Sequence, residues 1–213
     1  MTFRPPRPER VEIPGPAGVL QVLVDVPEGA ALDRFAVCCH PHPLQGGTMD
    51  NKVIHTVART FNELGVPTIR FNFRGVGTSA GAFDEGVGET EDALAAVAYG
   101  RERWPNAALW LGGFSFGGAI AVRAAATTHP AMLVTVSPAV TRLDVSNVVV
   151  PACPWLVIQG DADDVIPPQA VLEWAESLQP PPTVQVLEGA GHFFHGRLHD
   201  LRETILAFAQ SAS

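Results

Sequence analysis

Basic residues are scarce in this chain of 213 residues: 14 Lys and Arg stand against 22 Asp and Glu, a formal charge of −8, and no stretch gathers them into a block. That excludes electrostatically driven binding to nucleic acid or to an anionic membrane as the basis of its function. Cysteine is scarce as well. Cys38, Cys39 and Cys153 are an odd number with neither zinc-like nor thioredoxin-like spacing, and the first two lie in an apolar run, so reduced buried thiols are expected. Charge of both signs together is only 17% against 46% hydrophobic residues, which excludes a disordered chain and promises one sizeable core. The opening MTFRPPRPERVEIPG lacks the apolar stretch of a signal peptide, so a cytoplasmic location is the expectation. The longest uncharged run, Trp104 to Val122, is divided by Gly112, Gly113, Gly117 and Gly118 into a strand-like and a helix-like half, and no membrane span is expected. Internal repeats, low-complexity tracts and linkers are missing too, so one domain over residues 1–213 is expected.

What is present is alternation. Two Val-rich runs, Glu9 to Ile13 and Val19 to Val26, flank Pro14-Gly15-Pro16 and predict an antiparallel hairpin. Strand-like runs follow at Phe35 to Cys39, Thr68 to Phe73, Ala107 to Gly112, Ala131 to Val136, Trp155 to Gln159 and Val184 to Leu187. Most are continuously apolar, as strands covered on both faces must be. Helical patterns fill the gaps at Asp50 to Leu64, Glu89 to Arg103, Phe116 to Ala126, Gln169 to Leu178 and Leu198 to Gln210. Short connections between alternating strands and helices predict an α/β architecture, a mostly parallel sheet of about eight strands with helices on both faces.

Gly113-Phe114-Ser115-Phe116-Gly117 follows a predicted strand and opens a predicted helix. A serine at such a turn projects its hydroxyl above the sheet, and glycines two positions to either side allow backbone and helix to approach without Cβ collisions. The first helical N–H, that of Phe116, then faces any negative charge developing beside the serine. A glycine-rich bend with Ser115 as a mere cap is the plainer alternative. A serine hydroxyl is a poor nucleophile at neutral pH, so the chemical reading demands a histidine and a carboxylate. Both follow: an acidic loop, Gly160-Asp161-Ala162-Asp163-Asp164, after the strand ending at Gln159, and Gly189-Ala190-Gly191-His192 after the last strand. From the residues alone Asp161, Asp163 and Asp164 all remain candidates for the carboxylate.

With these motifs the chain resembles the α/β-hydrolase superfamily, in its small, lidless, dienelactone-hydrolase-like branch of serine hydrolases. The resemblance runs from Phe35 to Phe194 and is most specific at residues 40–51 (HPHPLQGGTMDN), 71–79 (FNFRGVGTS) and 113–118 (GFSFGG). It implies Ser115 as nucleophile, His192 as base and Asp163, third after Gly160, as the acid. Ser115 stands where dienelactone hydrolase has a cysteine, so that enzyme's substrate is not carried over. The resemblance also places a second oxyanion donor in the loop after the third strand. Pro41 and Pro43 have no N–H to give, so His42 is the first choice and Leu44 the second, with Gly46 and Gly47 keeping the loop near the serine.

Several neighbouring features invite other readings. The pair His40 and His42 suggests a metal, but no third ligand lies at a recognised spacing, so no metal and no cofactor are expected. Arg74, followed by Asp84, Glu85 and Glu89, reads as a loop pinned by ion pairs, with direct substrate contact the alternative and Gly75 and Gly77 supplying positive φ. Phe73, Phe83, Phe114, Phe116, Phe193 and Phe194 read as plain core or as the wall of an acyl pocket. His195 and His199 read as rim or surface residues. Only about sixteen residues, Ser137 to Ala152, lie where many α/β-hydrolases insert a helical lid, so an open cleft for small soluble esters is expected. The expected reaction is carboxylic ester hydrolysis through an acyl-enzyme. A small-molecule-binding protein on the same fold, or an acyltransferase or peptidase with the same three residues, are the alternatives.

Overall fold

The structure, a computed structural model, describes residues 8–145 and 148–212. Eight strands and five α-helices alternate in chain order: β1 (Glu9–Gly15), β2 (Gly18–Asp25), β3 (Arg34–Cys39), α1 (Lys52–Glu63), β4 (Thr68–Phe71), α2 (Val87–Arg103), β5 (Ala108–Phe114), α3 (Phe116–Thr128), β6 (Met132–Val136), β7 (Trp155–Gly160), α4 (Pro168–Ser177), β8 (Thr183–Leu187) and α5 (Leu198–Ser211). They build one sheet in the order β1-β2-β4-β3-β5-β6-β7-β8. Only β2 runs against the others: it pairs antiparallel with β1 and β4, and the pairs from β4 to β8 are all parallel. The expected α/β class and mostly parallel sheet are therefore observed.

Alternating side chains along each strand divide the core into two layers. Phe35, Val37 and Cys39 of β3 pack with Ala93 and Val97 of α2, Ala121 and Val122 of α3, and Val171 and Trp174 of α4. Ala36 and Cys38 face the other way, with Val53, Ile54, Val57 and Phe61 of α1 and Leu201 and Ile205 of α5. Helices thus cover both faces. α1 begins where Asn51 Oδ1 accepts the Val53 N–H at 2.9 Å, and its buried Val53, Ile54, Val57, Ala58 and Phe61 form the stripe seen in the sequence.

Boundaries differ from expectation where side chains compete with the ladder. The strand expected to reach Phe73 ends at Phe71. Asn72 there binds Met49 N–H through Oδ1 and Gln21 through Nδ2, while the Phe73 N–H turns aside to His40 Nε2 at 3.0 Å. The first strand instead runs two residues further than expected, because Gly15 pairs with Gly18 across the Pro16-Ala17 turn. The β6–β7 connection is short, residues 137–154, and its described part contains no helix. Among the described residues this connection supplies no helical lid. Among the described residues no helix is long and apolar enough to cross a membrane.

Candidate active site

Parallel strands end at the same edge, and the loops that leave β3, β5, β7 and β8 there carry the residues singled out above. Ser115 sits in the single step between β5 and α3 with φ 55° and ψ −118°, left-handed backbone that a non-glycine residue seldom adopts. Such strain costs on the order of 1–3 kcal/mol and persists only when its surroundings enforce it. Here they do: Ser115 N–H donates to Val136 O at 2.9 Å, and Ser115 O accepts from Gly118, Ala119 and Ala139 N–H at 2.9, 3.2 and 3.0 Å. Two glycines make room. A Cβ on Gly113 would lie 2.2 Å from Gly117 O, and one on Gly117 would lie 2.2 Å from Cys39 O and 2.3 Å from His40 O.

The loops that carry Asp163 and His192 are laced together. Asp161 N–H donates to Leu187 O at 3.3 Å and Ala162 N–H to Ala190 O at 3.1 Å, and Gly160 passes so close that a Cβ would fall 2.1 Å from Ala190 O. This lacing brings Asp163 and His192 face to face, both buried. His192 Nδ1 donates to Asp163 Oδ2 at 2.8 Å, and the Ser115 hydroxyl lies 3.1 Å from His192 Nε2. Asp163 Oδ1 accepts from Val165 and Ile166 N–H at 2.9 and 2.8 Å. Burial pushes the Asp163 carboxyl up, but the bonds from His192, Ile166 and Val165 outweigh it, and the net shift is downward. The group is held as a carboxylate.

The two competing aspartates are elsewhere. Asp161 Oδ1 caps Gly189 N–H at 2.6 Å, and Asp164 is exposed. Of the remaining histidines, His195 is exposed on the rim, its ring 6.2 Å from that of Phe193, and His199 lies on the surface of α5, 4.0 Å from Glu203.

Phe116, the residue after Ser115, stands beside His42 with ring centroids 5.0 Å apart. Neither backbone N–H has an acceptor among the described residues. Leu44 differs: its N–H donates to His42 Nδ1 at 3.2 Å and its side chain is 71% exposed. Gly47 holds the loop closed, since its N–H donates to His42 O and a Cβ there would lie 2.1 Å from Pro41 O. Gly46 adopts φ +75° with open space around it. Both ring nitrogens of His40 are engaged, Nδ1 donating to Pro41 O at 2.6 Å and Nε2 accepting from Phe73, so the His40–His42 pair is not available to a metal.

Arg74 is pinned as expected, but chiefly by a residue the sequence reading passed over. Asp92 of α2 receives Nε and Nη2 as well as the Arg74 N–H, with Glu91 and Asp84 further out at 3.4 and 3.7 Å. Glu89 instead accepts the N–H groups of Asp84 and Gly86. Gly75 and Gly77 do take positive φ, 74° and 59°. Phe73, Phe114 and Phe194 are fully buried core, Phe116 is nearly so, Phe83 is half-buried, and Phe193 is 43% exposed beside His192.

A family described as serine aminopeptidase, S33, matches residues 43–152, just over half of the chain. The chain belongs to this family of α/β hydrolases. Over 99% of this hydrolase and 97% of its counterpart, it is 44% identical to an α/β serine hydrolase without lid from Xanthomonas campestris, with a TM-score of 0.93. An α/β serine hydrolase homologue from Coxiella burnetii is 43% identical, over 93% of this chain and 96% of that one, with a TM-score of 0.90. An uncharacterized protein of Rickettsia prowazekii is 32% identical over 208 residues, 87% of this chain and 86% of that one. The hydrolase is accordingly a serine hydrolase of the α/β fold.

One buried polar residue beside Asp163 was missed. Gln159, at the end of β7, donates to Asp163 Oδ2 at 3.1 Å. Its signal was there, an amide closing a strand otherwise made of Trp155, Leu156, Val157 and Ile158.

Proposed function

We propose that the protein hydrolyses small soluble carboxylic esters through an acyl-enzyme on Ser115. The observation that carries this reading is the unbroken line from Ser115 Oγ to His192 Nε2 at 3.1 Å and from His192 Nδ1 to Asp163 Oδ2 at 2.8 Å. Ser115 Oγ attacks the ester carbonyl carbon while its proton passes to His192 Nε2. Asp163, held ionised, keeps the proton on Nδ1 and stabilises the imidazolium that forms. The negative carbonyl oxygen of the tetrahedral intermediate is met by the Phe116 N–H and, from the facing loop, the His42 N–H, both free to donate; Leu44, whose N–H is already given to His42, is the weaker partner. The carbon–oxygen bond to the alcohol then breaks as His192 returns its proton to the departing oxygen. Water repeats the sequence on the acyl group and frees Ser115. None of these steps calls for a cofactor. The short β6–β7 connection supports small substrates, and the free thiols of Cys38, Cys39 and Cys153 accord with a reducing compartment.

The family's description as a serine aminopeptidase favours a second reading, cleavage of an amide beside a free amine by the same three residues. A p-nitrophenyl ester and an aminoacyl p-nitroanilide separate the two. The decisive experiment for both is Ser115→Ala: turnover should fall on the order of 10⁴-fold or more, and a fluorophosphonate should label the parent at Ser115 and leave the variant unmarked. A variant as active as its parent would refute the mechanism, and an unlabelled parent would favour a binding protein.

A further inference from the structure

We propose that Gln159 is a positioning residue of this site, fixing the plane of the Asp163 carboxylate and limiting how strongly Asp163 Oδ2 draws on the His192 ring. The proposal rests on the hydrolytic reading of Ser115, His192 and Asp163 given above.

Gln159 has no exposed surface, and the residues of β7 on its face of the sheet, Trp155 and Val157, are apolar and packed with Val171 and Trp174 of α4. An apolar side chain would complete that wall, and an amide is unfavourable there unless its hydrogen bonds are used. They are used for one purpose. Gln159 Nε2 lies 3.1 Å from Gly160 O and 3.1 Å from Asp163 Oδ2. Both partners only accept, so the nitrogen must occupy this position. Both N–H groups are thereby spent on the acid loop, and Oε1 is left buried with no partner among the described residues. The side chain is arranged to serve Asp163 and leaves its own carbonyl unmet.

The four donors around Asp163 show what that service is. Val165 and Ile166 N–H hold Oδ1, while His192 and Gln159 share Oδ2. Without Gln159 the only donor on Oδ2 among the described residues would be His192, and the orientation of the acid would then depend on the ring it is meant to orient. The shared oxygen also divides its negative charge between two donors. The ring also meets the Ser115 hydroxyl and the apolar rings of Phe114 and Phe193 at 4.9 and 5.1 Å, and among the described residues Asp163 is the carboxylate hydrogen-bonded to His192.

The test compares pH profiles for p-nitrophenyl acetate in the parent, Gln159→Met and Gln159→Glu. Methionine fills the volume and removes both donors. Asp163 Oδ2 then serves His192 alone, and the acid limb of kcat/KM should move to higher pH, with kcat down about tenfold and KM unchanged. Glutamate keeps the shape of the amide, so folding is preserved if methionine is not tolerated. Two carboxyl groups this close hold one proton between them, and loss of that proton at higher pH should set Asp163 adrift, adding an alkaline fall to a profile that is level in the parent. Either change supports the proposal. An unmoved acid limb and kcat in Gln159→Met together with a level profile in Gln159→Glu would overturn it and leave Gln159 a packing residue. Labelling of the parent at Ser115 by a fluorophosphonate tells this outcome apart from failure of the hydrolytic reading itself.

Discussion

Replacing His40 by glutamine should flatten the acid side of the stability curve. His40 is fully buried at the end of β3, where Nδ1 donates to Pro41 O and Nε2 accepts the Phe73 N–H. Burial lowers its pKa to about 4, with the Pro41 bond opposing. The unfolded chain, with an ordinary histidine near 6.5, takes up a proton that the folded protein refuses, so stability is lost as pH falls from about 6.5 toward 4. A gap of about 2.5 units is worth about 3 kcal/mol in full, of which about 2 kcal/mol is lost between pH 7 and pH 5. Glutamine can still accept the Phe73 N–H and does not titrate. His42 and His55, also shifted down by burial, act in the same direction but are common to both proteins. Asp163, whose pKa is lowered, adds stability that is lost only at still lower pH, outside this window. Urea unfolding at pH 7 and pH 5 measures the difference: the parent should lose about 2 kcal/mol more than His40→Gln. Parallel losses would refute the reasoning.

Three further outcomes follow from packing and from the cleft. In Gly160→Ala the new Cβ would lie 2.1 Å from Ala190 O, forcing the loops of Asp163 and His192 apart by about 1 Å; turnover should fall about 100-fold while urea unfolding stays cooperative, and full activity would contradict the account of the loops. Arg74→Met strips the partner from Asp92, which has no exposed surface, and should cost about 3–5 kcal/mol in urea unfolding, much of it recovered when Asp92→Leu is added. A loss under about 1 kcal/mol would mean the pair is not what holds that loop. Esters of increasing acyl length should be cleaved steeply less well beyond short chains, and undiminished turnover of long chains would show that the open cleft does not restrict substrate size.

The legible parts of the molecule were those written in local pattern. Continuous apolar runs marked the buried strands, and glycines on either side of Ser115 marked the elbow because close backbone approach leaves no alternative to them. Choosing among Asp161, Asp163 and Asp164 was not legible from the residues alone. Which carboxyl turns inward depends on how the β7 and β8 loops pair, as in Ala162 with Ala190, and nothing local encodes that. The partner of Arg74 escaped for a similar reason. Where α2 begins, and hence which acid faces the sheet, is decided by Gly86 and Glu89: Glu89 spends its charge on two backbone N–H groups, and the turn that follows delivers Asp92. His40 looked like half of a metal pair because its two hydrogen-bond partners, Pro41 O and Phe73 N–H, are fixed only after β3 and β4 lie side by side.

The start of the β6–β7 connection helps to hold the strain at Ser115. Ser115 keeps its left-handed backbone because its carbonyl is gripped from within α3 by Gly118 and Ala119 and from outside the helix by Ala139, the third residue after β6. The chain turns directly after that contact, Arg142 and Leu143 N–H both donating to Ala139 O, and Leu143 is buried in the layer that holds α3. A segment anchored within three residues of the sheet at one end, and returning to Trp155 at the other, has its first turn committed to bracing Ser115. What remains is too short to arch over it as a set of helices. The start of this connection therefore has a structural task at Ser115, and an insertion meant to add a cover should be placed after Leu143, where it leaves the Ala139–Ser115 contact intact.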